Sequence, residues 1–399
     1  MRPLKFQIFE RVRAAGLIPR VEVAKELGIS PASVTTLSSE LIDAELIEEV
    51  VAPRGKGEAA RGRPPVALGV RASAHYVAGL KLSDREQTAV ILDFAGNLIA
   101  SHAITRQPGA LATEDFLNDC ERLLDLVGAK AGIRRQGLSG VGIGVPGFVE
   151  SAGGRVFWSS VLADGDVLLA AAAADRLGVP VTIDNDANLV ALAELWFGAG
   201  REVADFAVVT IEHGVGMGFV LNHRLYRGAG GIGMELGHTK VQLDGALCRC
   251  GQRGCLEAYV ADYALAREAS TALEGVEGDE QTMVELLESL YENAKGGNAA
   301  ARSIFRRAGR YLAVGLANVV NLFDPALIIL SGERMRYDYL YAADVLAEMD
   351  SLVLKAGRPA PPIEVHAWGD LLWAQGAAAL ALSDLTETLL APAREGAAR

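Results

Sequence analysis

The sequence predicts an α/β protein of two similar lobes, preceded by a small helix-turn-helix module with a β-wing. Three observations predict it. Apolar side chains fall at helical spacing through most of the first 50 residues, and from Tyr76 the period changes to the strands of the lobes. From there, a run of three strands followed by alternating helices and strands occurs twice. The 399 residues are enough for roughly two to three domains, and half of them are apolar. No apolar run reaches the ~18 residues of a membrane helix, so no membrane association is expected. The opening MRPLKFQIFERVRAAG is interrupted by charge every few residues, which excludes a secretion signal and points to the cytoplasm.

Taken in order, Phe6, Ile8, Phe9 and Val12 mark a first helix, and Val21, Val23, Ala24 and Leu27 a second. Val34, Leu37, Leu41 and Ala44 mark a third. Gly28 closes the second helix, and Ser30-Pro31 caps and opens the third, so Leu27 to Ser30 is a tight turn between two short helices. Leu46–Val51 and Pro65–Val70 read as two strands flanking a loop rich in Gly, Pro and Arg, a β-wing. Tyr76–Leu82, Gln87–Leu92 and Leu98–Ile104 form a meander, followed by a helix over 114–131, a strand Gly140–Val145, a helix over 166–177, a strand Val179–Ile183 and a helix over 187–197. Phe206–Ile211, Gly216–Leu221 and a short strand near Leu225 open the second set. Helices near 257–270, 281–294 and 298–322 come next, then a strand Leu327–Leu330, a helix over 338–356, a strand Ile363–His366 and a last helix over 371–389. These elements divide the chain into a head (1–70), a first lobe (71–190) and a second lobe (191–399), with the final helix able to pack back on the first lobe. Cys120 falls on the apolar face of helix 114–131, and Trp158 and Trp196 are expected in the core. A cleft between lobes is the default ligand site.

Charge is uneven. Residues 1–70 hold ten Lys/Arg against nine Asp/Glu, so the net −12 of the chain lies in the lobes. Arg54, Lys56, Arg61 and Arg63 sit between Pro53 and Pro65 with one acid, a strip suited to nucleic-acid phosphates and to a solvated linker alike. The second helix of a helix-turn-helix enters the major groove, and here Ser33, Thr35, Thr36 and Ser39 form its outward face. No Lys or Arg occurs between Lys25 and Arg54, so much of the DNA affinity must come from elsewhere. Arg61-Gly62-Arg63-Pro64 is slim enough to enter an A·T-rich minor groove.

The strongest local signal is Cys248-Arg249-Cys250-Gly251-Gln252-Arg253-Gly254-Cys255, with Gly237-His238 ten residues before it. His238, Cys248, Cys250 and Cys255 supply the four tetrahedral ligands of one structural zinc per chain. Four protein ligands leave no open position for catalysis.

Glu235-Leu236-Gly237-His238 followed by Cys-x-Cys-Gly-x-x-Gly-Cys-x-Glu closely resembles the signature of the ROK family (repressors, open reading frames and sugar kinases). Gly142 to Gly147, Asp184-Asn185-Asp186-Ala187-Asn188 and Gly214-Val215-Gly216-Met217-Gly218 extend the resemblance over about residues 72–390. It implies an actin-like, sugar-kinase-like two-lobed fold. It also implies that Asn185 and Asp186 hydrogen-bond sugar hydroxyls, with Asp186 at the position of the kinases' catalytic base. Glu235 and Glu257 are then sugar-facing carboxylates, His238 touches both zinc and sugar, and Gly147 belongs to the glycine-rich edge of the same pocket. Carboxylates suit adjacent hydroxyl pairs and penalise ligands that lack them.

The family's kinases cradle ATP phosphates with Asp-x-Gly-Gly-Thr and Thr-x-Gly-Thr-Gly. This chain has Gly79 to Arg85 and Thr210-Ile211-Glu212-His213-Gly214 there, without those glycines and with an acid that repels a triphosphate. Gly332-Glu333 departs again near the adenosine position. The resemblance and the head together imply a sugar-responsive transcriptional regulator, a repressor, with Asp186 only a vestigial base. Operator DNA, a sugar or sugar phosphate and a second copy of the chain would be its partners. The rivals are an ATP-dependent sugar kinase with an added DNA-binding head, and a regulator controlled by a protein partner with a vestigial pocket.

Overall fold

The computed structural model describes residues 3–51, 66–83, 86–272, 280–340, 342–355, 357–366 and 371–391. Two compact units divide the chain. The first holds residues up to Asn185, Leu192–Glu202 and the stretch from Leu371, and the second holds Asp186–Ala191 and Val203–Asp370.

The first unit opens with the head: α1 (Leu4–Ala15), β1 (Leu17–Pro19), α2 (Arg20–Leu27), α3 (Pro31–Asp43), β2 (Ile47–Val51) and β3 (Val66–Val70). Gly28 closes α2 in the left-handed region with φ 64°, and the Ser30 hydroxyl accepts from Ser33 N at 3.0 Å with Pro31 at the first helical position. The three helices close over a core of Phe6, Ile8, Phe9, Val12, Val23, Val34 and Leu41, with Leu37 half-buried beside it. β2 and β3 pair antiparallel as the wing, in register from Ile47 opposite Val70 to Val51 opposite Val66. β1 adds a third strand along β3, which three residues ending in proline gave no pattern to announce.

In the lobe of this unit, β4 (Tyr76–Leu82), β5 (Glu86–Asp93) and β6 (Leu98–Thr105) form the meander. They are followed by α4 (Thr113–Ala131), β7 (Gly140–Val145), a hairpin β8 (Gly147–Glu150) and β9 (Arg155–Ser159), α5 (Leu169–Leu177) and β10 (Val181–Asn185). The sheet order is β10-β7-β4-β5-β6, with β7 parallel to both β4 and β10. Cys120 is buried on the inner face of α4, as its spacing predicts. Trp158, expected in the core, is 55% exposed on β9. The unforeseen hairpin turns that position outward, and Trp196 is the one that is buried.

After α6 (Asp186–Phe197), the second unit repeats the pattern with β11 (Phe206–Ile211), β12 (Val215–Leu221) and β13 (Arg224–Tyr226). Next come α7 (Glu257–Val260), α8 (Asp262–Ala272), α9 (Glu280–Lys295), α10 (Ala299–Phe323), β14 (Leu327–Ser331), α11 (Ala343–Leu352) and β15 (Ile363–His366). Its sheet order is β13-β12-β11-β14-β15, again an antiparallel meander extended by two strands parallel to its first. The single helix predicted near 257–270 is two, because Ala261 is extended and Asp262 N donates to Glu212 O at 3.1 Å. Of the predicted helix 338–356, Asp338–Leu340 is a short 3-10 turn and Ala343–Leu352 is α11.

α12 (Leu372–Leu390) closes the chain against the first unit's sheet. The approach is backbone to backbone: a Cβ on Gly79 would lie 2.0 Å from Ala374 O, and one on Gly142 1.8 Å from Ala377 O. The first half of α6 packs on β12 in the same way, since a Cβ on Gly218 would meet the Ala191 Cβ at 2.6 Å. The sequence predicts a lobe boundary at 190/191. The compact units divide instead at 185/186, 191/192, 202/203 and 370/371, because the last turns of α6 and the final helix pack with the first unit. No helix among the described residues is long and apolar enough to cross a membrane.

Candidate functional site

A loop of the second unit brings the four metal-ligand candidates together. One nitrogen of His238 and the Sγ atoms of Cys248, Cys250 and Cys255 lie within 4.8 Å of one another. Cys248 Sγ is 3.7 Å from His238 Nδ1, and Cys250 Sγ is 3.7 Å from Cys255 Sγ. A tetrahedron with Zn–S bonds of ~2.3 Å has edges of about 3.8 Å, so these residues fit a zinc ion. Gly254, at φ 78°, lets the loop close where a Cβ would meet Gln242 O at 1.8 Å. Lys240 Nζ lies 3.0 Å from Cys255 Sγ. Held by His238, Cys248, Cys250 and Cys255, a zinc ion would supply a structural brace for this loop.

The sugar-site candidates divide between the units. In the first, Asn185 and Gly147 lie at the carboxyl ends of the parallel neighbours β10 and β7, where Asn185 pairs with Val145. Gly147 is held at φ 132° because a Cβ would meet Trp158 O at 2.1 Å. In the second, Asp186 opens α6 with Oδ1 accepting from Ala187 N at 2.9 Å. Glu235 is raised to about pKa 7 by burial, then by the charges of Asp186 and Glu257, so three carboxylates share one neighbourhood. Such a cluster is costly unless hydroxyl donors enter it.

Zinc and carboxylates are joined by His238, whose Nδ1 faces Cys248 while Nε2 is 4.0 Å from Glu235 Oε2. Glu257, at the start of α7, accepts from Tyr263 OH at 3.4 Å and from Val215 N at 3.4 Å. Tyr263 OH is also 3.5 Å from Cys248 Sγ. Lys240 and Tyr263 are the residues that sequence reasoning missed. Lys240 lies two places from His238 without a motif of its own, and the break at Ala261 hides the spacing of Tyr263 from Glu257.

The 210–214 loop is taken up by the protein itself. Glu212 N donates to Gly214 O at 2.9 Å, and Val215 N is the donor already committed to Glu257. The buried Asp262 carboxylate takes the fork of Arg334 at 2.5 and 2.7 Å and lies 3.2 Å from His213 Nδ1. Lys81 stands in the first loop's place, its Nζ 4.1 Å from the ring centre of Trp373.

On the head, Thr35, Thr36 and Ser39 are exposed on α3 and Ser33 is half-buried. The Ser33 hydroxyl is bonded to Ser30 at 2.8 Å, Thr35 donates to Pro31 O at 2.9 Å and Ser39 to Thr35 O at 2.9 Å. Only the Thr36 hydroxyl of these four has no partner among the described residues. Glu40 on α3 pairs with Lys5 at 3.3 Å, and Glu49 on β2 with Arg20 at 2.6 Å. Arg54, Lys56, Arg61 and Arg63 lie outside the described residues.

A two-lobed actin-like fold with a Cys3His loop beside three clustered carboxylates defines a class, and the ROK family model matches residues 79–384. The chain belongs to the ROK family. It is 31% identical over 334 residues to a putative xylose repressor of Caldicellulosiruptor sp. strain Rt8B.4, covering 82% of each chain. Among solved structures it is similar to a ROK family transcriptional regulator, a homologue of the E. coli MLC protein. That match has TM-score 0.77 at 25% identity and covers 97% of this chain and 96% of that one. It is also similar to the ROK hexokinase of Thermus thermophilus, with TM-score 0.67 at 28% identity, covering 78% of this chain and 99% of that one.

Proposed function

We propose that this protein is a sugar-responsive transcriptional repressor and not a kinase. Its head binds operator DNA through α3, with Thr35, Thr36 and Ser39 toward base edges and Arg54, Lys56, Arg61 and Arg63 on phosphates or in the minor groove. Asn185, Asp186, Glu235, His238 and Glu257, with the Gly147 turn, hold a sugar or sugar phosphate, and zinc at His238, Cys248, Cys250 and Cys255 braces three of them. Two copies of the chain read a pseudo-palindromic operator in the cytoplasm. One observation carries the choice over a kinase: Glu212 N is bonded to Gly214 O and Val215 N to Glu257, and the loop between them presents the acid Glu212 where a triphosphate needs donors. The regulator match also spans the head, whereas the hexokinase match stops at 78% of the chain.

The test selects bound DNA from a random pool and competes the complex with D-xylose, D-glucose and their phosphates. Release or tightening by one sugar is expected. ATP-dependent turnover of that sugar, abolished by Asp186→Asn, overturns the non-kinase reading.

A further inference from the structure

α6 is shared between the two units: Asp186–Ala191 belongs to the second and Leu192 onward to the first. Its twelve residues span about 18 Å. Every side chain from Ala187 to Trp196 is buried, so the helix has no room to bend and moves as one piece. One end carries Asp186, the proposed sugar contact. The other end meets the DNA-binding head.

That meeting is built from two arginines: Arg13 of α1, and Arg201 in the short 3-10 turn Ala199–Glu202 that follows α6. Arg13, in the last turn of α1, is 4% exposed, and its guanidinium donates to Leu195 O in the last turn of α6 at 3.4 Å. The same guanidinium lies 4.4 Å from the ring centre of Trp196, and Glu10 holds it at 2.9 Å. In return, Arg201 donates to Arg13 O at 2.8 Å, in the last turn of α1. Helix C-termini end in unpaired carbonyls with negative partial charge, and a cation there satisfies both. Around the clasp, Phe9 packs on Phe94 at 5.5 Å, Arg11 lies 3.6 Å from Glu202, and Trp196 Nε1 donates to Ser383 Oγ at 3.0 Å. Arg201 Nε is buried without a hydrogen-bond partner, so the clasp closes with part of its bonding capacity unmet and opens at reduced cost.

We propose that Arg13 and Arg201 form a reciprocal clasp tying the head to the C-terminal end of α6, so that a sugar gripping Asp186 at the other end re-aims the DNA-binding helices. The proposal rests on the regulator reading. Arg13 and Arg201 are positioning residues: neither touches sugar nor DNA.

The test uses the full chain, an operator selected from a random pool, and whichever of D-xylose, D-glucose and N-acetyl-D-glucosamine gives a calorimetric signal. In the parent, saturating sugar changes operator affinity by a factor of about 5 to 150, the usual range for coupled sites. Arg13→Ala is expected to keep sugar affinity and sugar-free operator affinity within about threefold while that factor falls to within about twofold of unity. Arg201→Gln is expected to move the factor in the same direction by less. A folded Arg13→Ala protein that keeps the parental factor overturns the clasp. Should Arg13→Ala not fold, amide exchange on the parent decides: sugar must change protection at Gly16, Leu17, Ala199 and Arg201, and unchanged protection there overturns the proposal. A parent whose operator affinity no bound sugar alters removes the regulator reading and the clasp together, an outcome distinct from the failure of the clasp alone.

Discussion

The zinc loop and the recognition helix are built on opposite plans. In the loop, His238, Cys248, Cys250 and Cys255 converge within 4.8 Å, and Lys240, Tyr263 and Glu257 are bonded to them or to one another. On α3 no charged residue occurs among Ser33, Thr35, Thr36 and Ser39, and three of those hydroxyls are spent inside the helix. A convergent site fails as a unit, because each member holds its neighbours in place. A dispersed DNA surface loses affinity in separate increments. The contrast teaches where large and small mutational effects must lie.

The largest expected effect is removal of the metal. Chelation, or Cys248→Ser, should release one zinc per chain by elemental analysis, lower Tm and weaken sugar binding by more than about 100-fold, since site formation and loop folding are one event. A sugar isotherm unchanged after zinc loss would show the two halves of the loop to be independent. Next comes Arg334→Leu, which strands the buried Asp262 carboxylate and should cost about 3–5 kcal/mol by denaturant unfolding. His213, 62% exposed, is too solvated to compensate.

Asp186→Asn keeps shape but changes an acceptor, and should cost about 1–3 kcal/mol of sugar affinity by calorimetry while sugar-free operator binding stays at the parental value. On the head, Arg61→Ala and Arg63→Ala should each reduce the slope of log affinity against log salt by about 1, uniformly across operator sequences. The smallest effect belongs to Thr36→Val, about 1 kcal/mol, visible as relaxed preference at one base pair in the selected pool. If Thr36→Val instead abolished binding as zinc loss abolishes sugar binding, the two regions would share one plan after all.

How much of this was legible depends on reach along the chain. The four metal-ligand candidates were readable because three fall within eight residues and chelation restricts spacing. The meander strands and α4 were readable from period. Trp158 was not: its exposure follows from the hairpin β8–β9, whose strands of four and five residues are too short to show alternation. Nor was the split of α7 from α8, which is made by Asp262 bonding back to Glu212, fifty residues earlier.

The sequence by itself determined the family, the two-lobed α/β pattern, the head and the chemistry of the zinc and carboxylate groups, because side-chain type and local spacing fix those. Only the tertiary structure decided that α6 is shared between units, that the amides of Glu212 and Val215 are bonded to Gly214 O and Glu257, and that Arg13 meets Leu195 and Arg201. The arginines' partners lie 182 and 188 positions away, and nothing local in an arginine's sequence context records which helix end it will cap.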